Sequence, residues 1–372
     1  MHPQRGTRGR GGHLAMCAVS RARTRAALWK VPLRAPRCDD GRVTEHRLWA
    51  LAHLGTPMAI RVAATLRIAD RLAKAPATGA ELAPAVGADP GTLERLMRYL
   101  AARGVLGRDD DGRYTLTALG EELRDDHPAG MRAMLDIESW EGRAELAFAH
   151  LLHSVRTGEA AFPRQFGRSF WEDLAADPAR AAAFDARMAA EVPGRAPAIV
   201  AGYDWGSLGH VVDVGGGDGS LLIALLTAHP GLRGTVVDQP ATARAAAAAL
   251  EAAGLSGRGD AVGGSFFDPL PPGADGYLLS WILHDWGDDD AAVILGRCAA
   301  AAGPDGSVFV VEDFGPDGES PRTGMDLRML VYYGGRERAV ADLRALAGRC
   351  GLEVASVHPA GALRIVRLVA RP

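Results

Sequence analysis

His210-Val211-Val212-Asp213-Val214-Gly215-Gly216-Gly217-Asp218-Gly219-Ser220 is a short apolar run that breaks into a glycine-rich turn. The apolar part reads as a buried strand, and the glycines let a ligand approach backbone that a Cβ would shield. Some twenty residues on, Thr235-Val236-Val237 ends in Asp238. A second parallel strand there would place a carboxylate to accept both hydroxyls of a ribose. Turn and acid together predict a site for a nucleoside-bearing cofactor, which a bare glycine turn without the acid would not.

The spacing narrows the choice of cofactor. A nicotinamide site wants Gly-x-Gly-x-x-Gly with a helix N-terminus aimed at a pyrophosphate, and here Ser220 stands where the third glycine would be. The segment from Asp213 to Gly219 instead resembles motif I of the S-adenosylmethionine (SAM) dependent methyltransferases. Asp213 and Asp218 would repel a diphosphate but suit the sulfonium and ammonium of SAM.

From 211 onward, strands are predicted near 211–215, 234–238, 260–263, 276–283, 307–312, 353–358 and 364–370, alternating with helices. The alanine-rich run 241–253, stopped by Gly254, is the helix after the second strand. This is the pattern of an α/β, doubly wound, Rossmann-like sheet over residues 201–372. Before it, residues 131–200 read as a helical linker that shapes a substrate pocket, with Phe184 and Met188 four apart on one face.

Residues 45–130 read as a mostly α winged-helix domain. Apolar residues recur at helical spacing from Leu48 to Leu72, and 77–103 is helix, turn, helix, capped by Thr78 and by Asp89-Pro90. A hairpin follows around Asp109-Asp110-Asp111-Gly112. The presumptive recognition helix sets Arg95, Arg98 and Arg103 against Asp89 and Glu94, too sparse a basic face for gripping phosphates. Dimerisation and one wall of a substrate pocket are the better roles, and a ligand-sensing transcription regulator is the rival.

With 372 residues the chain has length for two cores, and a net charge of −3 argues against general nucleic-acid or membrane-surface binding. Cys17, Cys38, Cys298 and Cys350 follow no metal or disulfide spacing, as in a reducing cytoplasm, and abundant Ala, Arg and Gly point to a bacterial, GC-rich source. Residues 1–44, rich in Arg and Gly, predict a disordered leader without the apolar stretch of a signal peptide, and Met16 leaves a downstream start open.

Ligands of such sheets lie beyond the carboxyl ends of the strands. There Tyr277-Leu278-Leu279-Ser280-Trp281-Ile282-Leu283 runs into His284-Asp285-Trp286, directing His284 at the crevice of the glycine turn. An imidazole titrates near neutrality and can take the proton of a phenol. Glu312, ending the next strand, and Glu337, in Gly334-Gly335-Arg336-Glu337-Arg338, are acids placed to steady it. Asp288-Asp289-Asp290 precedes an apolar helix, where N-capping is a better reading than a Mg²⁺ site, so no metal is expected.

From about residue 45 to its end the chain resembles the plant-caffeate-type and bacterial aromatic-polyketide O-methyltransferases, SAM enzymes with an N-terminal winged-helix dimerisation domain. The resemblance rests on the 213–219 segment, Val237-Asp238-Gln239-Pro240, Gly264-Ser265-Phe266-Phe267, His284-Asp285-Trp286 and 334–338. It implies His284 as general base flanked by Glu312 and Glu337, and SAM held by Asp213, Gly215, Gly217, Asp238, Gln239, Ser265, Phe266 and Ser280. Ser265 departs from the family pattern, which has a carboxylate there, and Ser280 resembles the bacterial branch. The implied product is a methylated hydroxyl on a small aromatic secondary metabolite, made by a homodimer. Phe184, Met188, Trp281, Asp285, Met325 and Met329 are the candidate pocket lining. A paralogue using SAM for hydroxylation or decarboxylation is the alternative within the family.

Overall fold

The computed structural model describes residues 47–314 and 322–372. The arginine-rich leader at 1–44, Cys17 and Cys38 lie outside the described residues. Arg47–Ala52 is a short helix in a unit of its own, and everything described from Gly55 onward forms a second unit.

That second unit begins with helices Gly55–Thr65, Ile68–Leu72, Gly79–Val86 and Pro90–Ala102. A hairpin of β1 (Leu106–Arg108) and β2 (Tyr114–Leu116) follows. The capping chemistry is as the sequence predicts. Thr78 and Glu81 form a reciprocal capping box, and the Asp89 carboxylate accepts from the Thr92 N–H at the start of the helix opened by Pro90. Leu93, Met97 and Leu100 face inward with Ile68, Leu72 and Tyr114 and form the core of this winged-helix region.

Short helices between Met131 and Ala175 lead into the long helix Pro178–Gly202. An aromatic cluster of Phe162, Phe170, Trp140, Trp171, Phe184 and Tyr333 ties this region to the C-terminal part of the chain.

The remaining strands are β3 (His210–Val214), β4 (Arg233–Asp238), β5 (Gly259–Gly263), β6 (Gly276–Ser280), β7 (Ser307–Glu312), β8 (Leu352–Ala360) and β9 (Leu363–Ala370). They form one sheet in the order β5-β4-β3-β6-β7-β9-β8. The first five in that order run parallel, and β9 and β8 close the edge antiparallel. Strand parity decides the layers. Val212, Val214, Leu279 and Val310 pack on one face, Val211, Leu278, Phe309 and Val311 on the other, as a sheet covered on both sides requires.

The chain moves outward from β3 to β5 and then crosses back to β6, so the strand order reverses between β3 and β6. A crevice opens at the carboxyl ends of strands at such a point, and both decisive segments arrive there: the glycine turn after β3 and the His284 segment after β6. The strand boundaries fall within one or two residues of expectation except at the end of β6. The run predicted to reach 283 leaves the sheet after Ser280, because Trp281 adopts a left-handed backbone with φ of 55°. Among the described residues, no helix is long and apolar enough to cross a membrane.

Candidate active site

The glycine turn works through backbone shape. Gly215, Gly217 and Gly219 have φ of 73°, 59° and 80°, conformations in which a side chain is strained. A Cβ on Gly215 would strike Ile282 and come within 3.6 Å of Phe266, which shows how closely the three segments of the crevice meet. At Gly217 nothing lies within 4 Å of that position, so only its backbone conformation calls for glycine.

Acidic groups gather around this turn. The N–H of Gly217 donates to Oδ2 of Asp238 at 2.9 Å, and that of Gln239 to Oδ1 at 2.7 Å. Each oxygen keeps a lone pair for a ribose hydroxyl. Burial raises the Asp238 carboxyl above its usual range, the two N–H donors opposing and Asp185 adding to the rise. Asp213 is fully buried, with Oδ2 lacking any hydrogen-bond partner. Burial first, then the charges of Asp238 and Asp218, push it up to about 7. Asp185, held by the Thr242 hydroxyl at 3.2 Å, joins the same field. An unsatisfied buried carboxylate among like charges wants a cation, and this donor set fits a sulfonium-ammonium ligand.

The other candidate cofactor residues frame the turn. Phe266 packs on Phe267 and Trp286, with centroids 5.1 and 5.8 Å apart, leaving one side towards Gly215. The Ser265 hydroxyl accepts from the Phe267 N–H at 3.2 Å, so its oxygen serves its own loop, and its O–H is left to donate. Ser280 is the last residue of β6, and Gln239 occupies the N-cap position of helix Pro240–Ala252 without capping it, its side chain exposed.

Across the crevice, Leu283–Asp285 is a single 3-10 turn that presents His284. Its Nδ1 lies 3.3 Å from Oε1 of Glu337, and its Nε2 lies 3.5 Å from Oδ1 of Asp285. Glu312 also reaches the residue, but through the backbone: the His284 N–H donates to Oε1 of Glu312 at 3.1 Å. Burial alone would lower the imidazole below its ordinary value, but Asp285, Glu337 and Glu312 outweigh it and push His284 up to about 9. Burial and the two glutamates hold Asp285 up at about 7, with His284 pulling the other way. Burial likewise raises Glu312. These groups share protons as a set.

The pocket candidates do not form one surface. Phe184 is committed to the aromatic cluster, its ring 5.0 Å from Trp140 and 5.8 Å from Trp171, while Met188 is exposed. Asp285 belongs to the His284 set. The Arg195 guanidinium lies over the Trp281 ring. Met325 and Met329 lie on helix Thr323–Tyr333, whose Asp326 accepts from the Glu337 N–H at 2.8 Å. That helix therefore carries two of the candidate residues and holds the backbone of the acid beside His284. Asp326 and Asp185 carry no signal of their own in the sequence, whereas Gly335 belongs to the 334–338 motif. A Cβ at Gly335 would collide with the His284 carbonyl, and the only sequence signal for this was the glycine pair itself.

Asp288, Asp289 and Asp290 open helix Asp288–Ala302, but the N-cap is Gly287 and no side chain caps the helix. The capping expectation is corrected to one of charge: acids in the first turn face the positive end of the helix, and Asp288 pairs with Arg338 at 2.8 Å. Among the described residues, no three His, Cys, Asp or Glu side chains are grouped to hold a metal ion.

Comparison with known proteins decides what this crevice belongs to. The O-methyltransferase domain family matches residues 148–353, and the O-methyltransferase dimerisation domain family matches residues 49–125. The chain belongs to the SAM-dependent O-methyltransferases. It is similar to 2,7-dihydroxy-5-methyl-1-naphthoate 7-O-methyltransferase of Streptomyces carzinostaticus, 54% identical over 87% of this chain and 97% of the relative. It is also similar to aclacinomycin 10-hydroxylase RdmB of Streptomyces purpurascens, 43% identical over 84% of this chain and 85% of that one. Among solved structures, the O-methyltransferase NcsB1 from neocarzinostatin biosynthesis, in complex with SAM and 2-hydroxy-5-methyl naphthoic acid, is 52% identical. Its TM-score is 0.80, covering 88% of this methyltransferase and 100% of that chain.

Proposed function

We propose that this methyltransferase methylates a phenolic hydroxyl of a hydroxynaphthoate-like aromatic, with His284 as general base. One observation carries the assignment of the base. His284 stands at the carboxyl end of β6, across the strand-order reversal from the acid-lined glycine turn, with Glu337 on Nδ1. The two segments thus bracket a crevice in which a phenol and a cofactor would meet. The naphthoate named for the relative that is 54% identical supports the substrate class.

When bound, SAM supplies an activated methyl group, and Asp213, Asp238, Gly215, Gly217, Phe266, Ser265, Ser280 and Gln239 are the residues that would hold it. Asp238 would accept from the ribose hydroxyls, and the Asp213 carboxylate would face positive charge. Glu337 fixes the orientation of the imidazole and stabilises its protonated form, as a carboxylate on the far nitrogen does for any histidine base. Glu312 holds the backbone of the same residue. Most of the rate is attributed to positioning, which supplies effective molarities of about 10⁵ to 10⁸ M.

The test is incubation with SAM and 2,7-dihydroxy-5-methyl-1-naphthoate or simpler hydroxynaphthoates, read by product mass. A methylated product that His284→Ala makes far more slowly supports the reading. The relative named as a hydroxylase, 43% identical, gives a second reading weight, in which the product gains oxygen instead. A hydroxylated product would decide for it. The dimerisation domain supports a homodimer, measured by light scattering. Cys298 and Cys350 carry free thiols, in keeping with a cytoplasmic location.

A further inference from the structure

One buried cation beneath the His284 turn has no part in the chemistry so far. The Arg338 side chain is 1% exposed. Its guanidinium donates through Nη1 to the Leu283 carbonyl at 2.6 Å and through Nη2 to the Trp286 carbonyl at 2.8 Å. Nη2 and Nε also meet Oδ1 of Asp288, at 2.8 and 3.1 Å. Leu283 and Trp286 bracket His284 and Asp285, so one planar fork holds both ends of the turn.

The stitching continues along the same segment. The Arg336 N–H donates to the His284 carbonyl at 2.9 Å, and Glu337, the residue between the two arginines, sends its carboxylate to Nδ1. The middle of the turn is held by the Glu312 carboxylate on the His284 N–H and by the Arg336 N–H on its carbonyl, whereas the chain enters it from the sheet through the left-handed Trp281. Without the fork, the Leu283 carbonyl would keep only the Trp286 N–H, at 3.2 Å, the Trp286 carbonyl would lose the guanidinium, and the two ends of the turn would no longer be tied to each other.

We infer that Arg338 is a positioning residue for the methyl transfer: its guanidinium clamps the 283–286 turn so that the His284 imidazole stays in register with Glu337. The inference rests on His284 being the base. Geometry matters here beyond charge, because a lysine ammonium keeps the charge but cannot span two carbonyls and a carboxylate.

The experiment compares full-length wild type, Arg338→Lys and Asp288→Asn by steady-state kinetics and by NMR titration of the His284 ring, assigned against His284→Gln. For Arg338→Lys we expect kcat to fall about ten- to hundredfold with KM for SAM within about twofold. The His284 titration should move down towards that of a free imidazole as the Glu337 contact loosens. Asp288→Asn, at a side chain 48% exposed, should move both readouts less and in the same direction. Unchanged His284 titration in Arg338→Lys overturns the inference even if kcat falls, since Arg338 would then be structural only. Should Arg338→Lys fail to fold, an unchanged titration in Asp288→Asn overturns it instead. Full kcat in His284→Gln would remove the base reading, while the titration would still report whether the clamp exists.

Discussion

Oε1 of Glu337 lies 3.3 Å from Nδ1 of His284, whereas Glu312 meets the same residue only at its backbone N–H. The two acids therefore touch the residue differently: Glu337 bonds and orients the ring, Glu312 bonds the backbone, and both add their charge to that of Asp285, which raises the ring most. Replacing Glu337 by Gln should cost more in kcat than replacing Glu312 by Gln, because it alters the ring contact as well as removing a charge. Steady-state rates of the two variants, with circular dichroism to confirm folding, check the order.

The pH dependence follows from the same set of acids. A base must be unprotonated to act, and His284 is pushed up to about 9, so kcat/KM for SAM, which reports the free enzyme, should rise with pH through a limb well above 6.5. A cation bound nearby lowers the pKa of a neighbouring cationic acid. The limb in kcat should then lie at lower pH than the limb in kcat/KM. His284→Ala should abolish the limb and slow turnover by about 10² to 10⁴-fold, less for the most acidic phenols. Coincident limbs near 6.5 in both profiles would count against the acid set.

Cofactor binding should release a proton. Asp213 is held at about 7, with a buried oxygen that has no partner, so near neutrality it is partly protonated until positive charge arrives. Binding a cation lowers that pKa, so SAM should bind more tightly as pH rises from about 6 to 8. S-adenosylhomocysteine lacks the sulfonium and should show a smaller dependence. Calorimetry in buffers of different ionisation enthalpy measures the proton count directly, and Asp213→Asn should remove the difference between the two ligands.

The glycine turn separates strain from ligand contact. Gly217→Ala meets no neighbouring atom within 4 Å, so the folded protein should lose only about 1 kcal/mol from the left-handed backbone. Its SAM affinity should nonetheless fall about tenfold or more if a ligand rests on that backbone. Gly215→Ala drives a methyl into Ile282 and should lower the melting temperature more. Thermal unfolding with and without SAM distinguishes the two effects.

Which parts of this architecture were legible in the sequence follows from how local their causes are. The strands of the large sheet announce themselves as apolar runs, and Thr78 and Asp89 cap the helices they precede, because those interactions span three residues. The glycine turn and Asp238 were readable for the same reason, each carrying its function in its own segment. Arg338, which binds carbonyls more than fifty residues earlier, has no such signal. Neither has the left-handed Trp281, a bulky residue in a conformation its type disfavours, nor the division by which Glu312 meets the backbone of His284 and Glu337 its ring. These depend on which segments the strand crossing brings together. The Phe184 and Met188 pair shows the converse: helical spacing gave a shared face, but the packing of the aromatic cluster took one residue and left the other exposed.

Asp173 tests the helical region that precedes the large sheet. Its carboxylate is 3% exposed and meets Arg143 at 2.9 Å, Arg168 at 2.6 Å and Arg180 at 2.8 Å. Burial alone would raise its pKa, but the arginines win and hold it below the usual range. Removing this anion leaves Arg143 and Arg168 crowded together without it and leaves Arg180 only Asp177, at 3.1 Å, so Asp173→Asn should destabilise the protein by about 1–3 kcal/mol. The sign of the pH effect is fixed by the lowered pKa. The contribution is present above the unfolded-state value of about 3.9 and is lost as pH falls through the lower folded-state value. Urea unfolding of wild type and Asp173→Asn should therefore show a gap at pH 7 that narrows in acid. A gap that persists unchanged below about pH 3 would mean that the asparagine disturbs packing rather than charge.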